Sequence, residues 1–253
     1  MKVSIITIVL NNKSFIESCI QSVRNQTYHE IEHIIIDGGS TDGTQKQIEP
    51  YQNDLAYYKS EVDNGPYEAL NKGISQATGN IIGILHSDDL FYDTTTVEKM
   101  VDVFKKTNAD LVYANGQYVD KENTNKVKRI YSAKPFHKIY LHFGWVPLHT
   151  TIYVKKEVFE KYGMYKTKYS IAGDYGITLG WFTNDQIKKV FFNEWVVKMR
   201  MGGKSTTASL QKVKSTEDLQ IIKLYKLWGV FTLGCKITRK IPQYLMPRLI
   251  KYK

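Results

Sequence analysis

Three apolar runs of strand length each stop at a carboxylate: Ile31–Ile36 at Asp37, Leu55–Ser60 near Asp63, and Ile81–His86 at Ser87, Asp88 and Asp89. Runs that are nearly all apolar, rather than alternating, suit parallel strands covered on both faces. Between them lie helical patterns. Phe15, Ile16, Cys19, Ile20 and Val23 follow the 3.6-residue period, and further helices are expected over Thr44–Tyr51, Tyr67–Gln76 and Val97–Phe104. A strand over Lys2–Leu10 opens the chain, and another is expected over Asp110–Val119. This alternation specifies an α/β fold, an open, mostly parallel sheet flanked by helices. The carboxyl ends of such strands share one edge, where open α/β sheets bind ligands. Residues far apart in sequence, Asp37, Asp63, Asp88 and Asp89, therefore fall on the same edge.

Beyond Val119 the pattern changes. Lys121–Lys128 reads as a hairpin tip, His149–Val154 as a strand, and Lys156–Tyr162 as a short helix closed by Gly163. Ile171–Phe182 begins as a loop and becomes a helix with Asp174 near its first turn. A strand over Val190–Met201 leads into Gly202-Gly203-Lys204-Ser205, and from Ser215 the chain is helical, apolar and basic.

The net charge of +10 over 253 residues is unevenly spread. Residues 1–100 hold 7 Lys/Arg against 14 Asp/Glu, a net of −7, and the remaining 153 hold 28 against 11, a net of +17. The acidic half suits catalysis, and the basic half suits an anionic partner. Nucleic acid is a poor candidate, because no recognition motif is present and an acidic cleft repels phosphates. Gly203-Lys204-Ser205 resembles the tail of a phosphate loop, but position 198, where that motif needs glycine, is Lys198. The apolar amino terminus runs straight into Asn11 and Asn12 without a small-residue cleavage site, so it reads as a strand and not a leader. No stretch reaches the ~18 apolar residues of a spanning helix. Cys19 and Cys235, far apart, support free thiols and a reducing, cytoplasmic setting.

Each candidate site residue also has a structural explanation. Asp88 and Asp89 could cap the helix beginning near Thr94 or Thr95, or hold a divalent cation through hard oxygen ligands. Asp37 and Asp63 could be turn residues. Asp174 could cap the helix it precedes. His86 and His149 could be satisfied polar residues.

Taken together, seven segments resemble the family 2 glycosyltransferases, nucleotide-sugar enzymes of the GT-A fold. They are S-I-I-T-I-V-L-N-N at the start, D-G-G-S-T-D-G-T, E-V-D-N-G-P-Y-E-A-L-N-K-G-I, A-T-G-N-I-I-G-I-L-H-S-D-D, H-T-T-I-Y-V-K-K-E-V-F-E-K-Y-G, A-G-D-Y and G-G-K-S. They keep the family order over residues 3 to about 206, and the Asp-Asn-Gly-Pro-Tyr and Ser-Asp-Asp pieces are similar to those of enzymes building bacterial capsule, O-antigen or exopolysaccharide. The resemblance implies a domain over 1–206, with a nucleotide-binding half (1–120) and an acceptor half (121–206), and a basic helical segment over 207–253. It implies that Thr7, Val9 and Asn11 lie against the nucleotide. Asp37, with Gly39 and Ser40, would meet a uracil-type base, and Asp63, with Gly65 and Lys72, the base or ribose. Ser87, Asp88 and Asp89 match the motif that holds Mn²⁺ or Mg²⁺ on the diphosphate, with Asp89 favoured as the direct ligand. Asp174 matches the general base for the acceptor hydroxyl, and His149, Gly203 and Ser205 would lie near the diphosphate or acceptor. Two positions depart from the family: His86 stands where many members have Asp, and Leu10 where many have Tyr or Phe.

The implied chemistry is transfer from a nucleotide-diphosphate sugar, with UDP as the expected nucleotide. The cation stabilises the leaving diphosphate and one carboxylate takes the acceptor proton. A half-buried Asp174 is expected to have a raised pKa. The expected acceptor is a glycan or polyprenyl-diphosphate-linked precursor. From Leu219 on, Lys and Arg alternate with Trp228, Phe231 and aliphatic residues, with no acids, which suits either the inner face of an anionic membrane or a helix packed on the sheet. A non-catalytic nucleotide- or glycan-binding module on the same fold is the alternative, favoured only by His86.

Overall fold

A computed structural model describes residues 1–202 and 210–249. Its order of elements is β1 (Val3–Val9), α1 (Ile16–Arg24), β2 (Ile31–Asp37), α2 (Thr44–Ile48), β3 (Tyr57–Ser60), α3 (Pro66–Gln76), β4 (Ile81–Ile84), β5 (Leu90–Phe91), α4 (Thr96–Thr107), β6 (Leu111–Val119) and β7 (Val127–Tyr131). Then come α5 (Ile139–His142), β8 (Ile152–Lys155), α6 (Lys156–Tyr162), α7 (Gly173–Thr183), β9 (Lys189–Arg200), α8 (Gln211–Leu224), α9 (Gly229–Thr238) and α10 (Lys240–Leu249).

The strands form one sheet in the order β3-β2-β1-β4-β8-β6-β9-β5, with β7 paired on β6. From β3 to β4 every pairing is parallel, as continuous apolar runs require. Past β4 the sheet is mixed: β8 runs antiparallel to both β4 and β6, while β6 and β9 are parallel. The strand expected at His149 begins three residues later. His149–Thr151 is a 3-10 turn instead, because Thr151 N–H and Oγ both bond back to Leu148 O.

One apolar layer packs β1, β2 and β4 against α3 and α7, and the other packs the opposite sheet face against α1 and α4. Ile221 and Ile222 of α8 are fully buried in the first layer. The basic carboxyl-terminal stretch is therefore three separate helices, and the first is packed onto the domain. The apolar residues of α9, α10 and the turn before them have a different fate: Trp228, Val230, Phe231, Ile237, Ile241 and Leu245 are exposed.

Candidate active site

Parallel pairing of β1 through β4 brings their carboxyl ends to one edge, and the turns there are laced together. Asp37 is fully buried, and its carboxylate accepts from Ser40 N–H at 3.2 Å, Ser40 Oγ at 2.5 Å and Ser60 Oγ at 2.5 Å. Ser40 Oγ in turn accepts from Asn11 N–H at 2.8 Å. Asp37, for which the resemblance implied a contact with the base, thus ties three strand ends together from a fully buried position. Thr7 and Val9 are likewise interior. Thr7 Oγ1 lies 2.9 Å from His33 Nε2, and Val9 packs with Ile16, Ile20 and Ile35. At the head of the first loop Leu10 and Asn11 are exposed, the latter at φ 52°.

Asp63 lies against the same edge. A Cβ at Gly38 would come within 2.8 Å of Asp63 Oδ2, so glycine is what lets the two turns approach. Gly39, at φ +83°, leans on Val62, and Gly65 N–H donates to Asp63 Oδ1 at 2.8 Å. Lys72 does not reach into this edge as a free cation. Its ammonium is held 3.0 Å from Glu61 and 2.9 Å from Glu68. Gly203 and Ser205 lie outside the described residues.

The paired aspartates do not cap α4. Asp93 holds the turn that leads into it, accepting from Thr95 N–H and Thr95 Oγ1 at 2.9 Å, and Thr95 is the N-cap residue. Asn12 Nδ2 donates to Ser87 Oγ at 2.8 Å and fixes the turn that carries the pair. Asp89 is 1 % exposed. One oxygen accepts from Arg200 N–H at 3.1 Å, and Oδ2 is buried with no hydrogen-bond partner among the described residues. Burial, and then the charge of Asp88, raise its pKa well above the usual carboxylate range. Asp88 is only part-buried; burial raises its pKa, while Arg200 and Lys121 pull it down. Asp88 is therefore the more exposed carboxylate of the two, whereas Asp89, favoured from sequence as the direct ligand, keeps a buried oxygen without a partner. Two adjacent hard oxygen donors, one orphaned in a buried position, fit a Mn²⁺ or Mg²⁺ ion. Among the described residues no group of three His, Cys, Asp or Glu could hold a metal, so further ligands would come from elsewhere.

Asp174 stands in the first turn of α7, and a chain of contacts links it to the metal-type turn. His86 Nε2 lies 2.8 Å from His149 Nε2, and His149 Nδ1 lies 3.2 Å from Asp174 Oδ2. Tyr67 OH donates to Asp174 Oδ1 at 3.3 Å and to Ile171 O at 2.6 Å. Burial alone would raise the Asp174 pKa, as the sequence suggested. The hydrogen bond and charge of His149, with Lys214 and Lys236, outweigh it and hold the carboxyl well below the usual range. That expectation is overturned by a partner 25 residues away in sequence. His86 is pushed down to about 3, by burial first and by His149 second, and so is neutral.

Sequence reasoning missed three contributors. Arg200 grips the turn through its own N–H and through Nη1, which donates to Asp88 O at 2.6 Å. Tyr67 fixes Asp174. Glu217 of α8 accepts from the N–H groups of Ser170, Ile171 and Ala172, which hold the loop leading to Asp174. No local pattern marks any of the three, since each acts across 45 positions or more.

A parallel half-sheet with its turns gathered on one edge, joined to a mixed half that delivers a carboxylate to the same edge, defines a GT-A-type α/β protein. The sequence profile of glycosyl transferase family 2 matches residues 4–163, and the chain belongs to that family. It is 28% identical over 230 residues to an uncharacterized glycosyltransferase of Rickettsia prowazekii, covering 86% of this chain and 70% of that one. An uncharacterized glycosyltransferase of Mycobacterium tuberculosis is 41% identical over 101 residues, a match spanning 40% of this chain and 38% of the relative. Among solved structures, Staphylococcus aureus TarS 1–349 in complex with UDP-GlcNAc aligns with a TM-score of 0.66 at 16% identity, over 88% of this chain and 67% of that one. The mannosyltransferase PcManGT from Pyrobaculum calidifontis, in complex with GDP-Man and Mn²⁺, aligns with the same TM-score of 0.66 at 16% identity, over 94% and 73%.

Proposed function

We propose that this protein is a metal-dependent, inverting glycosyltransferase that moves a sugar from a nucleotide-diphosphate donor, UDP-linked, to a hydroxyl of a glycan or lipid-linked precursor of a surface polysaccharide. The observation that carries the proposal is the convergence of residues 86–89 with His149 and Asp174, which puts a carboxylate pair, Asp88 open and Asp89 buried, and a partnered carboxylate on one edge. Donor-bound relatives of the same fold add weight, one with UDP-GlcNAc and one with GDP-Man and Mn²⁺.

Asp88 and Asp89 would hold the cation, which supplies Lewis-acid stabilisation of the departing diphosphate. Asp63, at the turn beside Gly38, orients the nucleoside. Asp174, low in pKa and 28% exposed at its side chain, stays ionised and accepts the proton of the acceptor hydroxyl on Oδ. The leaving diphosphate needs no proton, so one carboxylate suffices, and attack from the opposite face inverts the anomeric carbon.

Among the described residues no helix is long and apolar enough to cross a membrane. The exposed Trp228 and Phe231 pack on Phe143 at 5.5 and 5.9 Å between centroids, an aromatic knuckle beside basic helices that suits peripheral contact with an anionic bilayer. Trp228→Ser with Phe231→Ser should abolish co-sedimentation with anionic vesicles; unchanged partitioning rejects the membrane contact.

The enzymatic proposal is tested by UDP release from a panel of UDP-sugars with Mn²⁺. Asp174→Asn should lower kcat by roughly 10²–10⁴-fold with UDP affinity intact. Asp88→Asn should weaken Mn²⁺-dependent UDP binding. Wild-type turnover in Asp174→Asn would remove the base assignment.

A further inference from the structure

Behind Asp174, five cations crowd a space between β7, α8, α9 and α10: Arg129, Lys214, Lys236, Arg239 and Lys240. Asp218, 4% exposed, is the carboxylate among them, 2.6 Å from Lys236 Nζ and 3.8 Å from Lys214 Nζ. Among the described residues no carboxylate forms a salt bridge with Arg129, Arg239 or Lys240. Arg129 is satisfied by Gln243 Oε1 and stacks on Tyr118 and Tyr244. Arg239 gives one amino group to Tyr131 OH, while its Nη1 is buried without a partner. Burial pulls Lys236 down to about 8, and Lys240 is lowered by burial and then by Lys214 and Arg129. A single Lys236–Asp218 pair would be ordinary structure. It leaves Lys214 sharing that one carboxylate and does not account for Lys240 or the orphaned guanidinium nitrogen, since half-buried like charges are unfavourable without a counterion.

The position of the cluster says which anion is missing. Arg200 bonds Asp88 and Asp89, whereas Lys236 Nζ sits 3.3 Å over the ring of Tyr175, the residue after Asp174, and Glu217, next to Asp218 in α8, bonds the loop leading to Asp174. The crowded cations therefore serve the side of the base away from the metal-type turn. Resting on the reading of Asp174 as acceptor base, we propose that Lys214, Lys236, Arg239 and Lys240 form a second anion site, which takes a phosphate or diphosphate group carried by the acceptor. Charge-assisted bonds to lysine and arginine suit that group, and they would set the reacting hydroxyl against Asp174.

Farnesyl diphosphate, a short lipid diphosphate, is the probe for the full chain, titrated by calorimetry in EDTA with and without saturating UDP. Binding should persist with UDP present, and Lys240→Ala and Arg239→Gln should each weaken it about tenfold, the loss of one charged contact. UDP–Mn²⁺ titrations of the same variants should match wild type, and their melting temperatures should hold or rise as crowding is relieved. Full displacement by UDP, equal binding of farnesol, or wild-type affinity in both variants overturns the proposal. So does loss of phosphatidylglycerol vesicle binding with farnesyl diphosphate affinity unchanged, which would give the cations to a bilayer. Failure of wild type to bind UDP–Mn²⁺ would sink the donor reading instead, and the two failures are read in separate titrations.

Discussion

Asp174 owes its acidity to its neighbours and not to its depth. Burial acts to raise the pKa, yet His149 at 3.2 Å and the ammonium groups of Lys214 and Lys236 win, because a near opposite charge outweighs partial desolvation. A base already ionised gives up driving force for proton transfer and gains full availability near neutrality. The other groups facing it are Tyr67 and, through His149, neutral His86. In His149→Gln the ring nitrogen 3.2 Å from Asp174 Oδ2 is lost, so the acidic limb of the kcat pH profile should move upward and kcat should fall. A profile identical to wild type would show that His149 does not tune the base. The contact of His86 with His149 at 2.8 Å gives it a place in the same chain.

At the scale of elements, two helix starts decide whether the site is held. Asp93 holds the turn into α4 through Thr95 and Thr96, and Asp93→Ala should lower stability by about 1 kcal/mol in urea unfolding with kcat unchanged. Glu217 caps the loop before α7 from a different helix, accepting three backbone N–H groups and Ser170 Oγ at 2.8 Å. Glu217→Ala should lose about 1–3 kcal/mol and also reduce kcat, because the loop carrying Asp174 loosens. A loss of stability with full kcat would confine Glu217 to folding. Both α4 and α7 were legible as helices from their apolar period, but which acid caps which start was not. Asp88, Asp89 and Asp93 sit within six positions of each other, and only the fold of the turn separates their tasks.

Over the whole molecule, acid should destabilise in two stages. His33 is buried, with its pKa pushed down to about 3, and His86 is likewise lowered to about 3. Below the ordinary histidine value of ~6.5 the unfolded chain takes up protons that the native fold refuses, so stability falls with pH at up to about 1.4 kcal/mol per unit per group. Glu32 follows. Burial acts to raise its pKa, but bonds from Lys2, Ser4 and Thr78 prevail and lower it to about 2, so its contribution is present above 4.5 and lost as pH falls toward 2. The urea midpoint should therefore drop between pH 6.5 and 4, and His33→Phe should flatten that drop. An unchanged slope in that variant would acquit His33.

The order of strands and helices, the parallel half of the sheet and the edge on which Asp37, Asp63, Asp88 and Asp89 meet were determined by the sequence alone, because apolar period and strand exits are local properties. Which of those carboxylates faces outward was decided by tertiary structure. Asp37 is consumed by Ser40 and Ser60, Asp88 is open, and Asp89 leans on Arg200, none of which a local pattern encodes. The same holds for the basic tail. Its charge is written in the composition, but only packing could turn α8 inward through Ile221 and Ile222 and gather its lysines behind Asp174. Periodicity reports which face of an element is apolar, whereas the partner of a charge depends on contacts between elements distant in the chain.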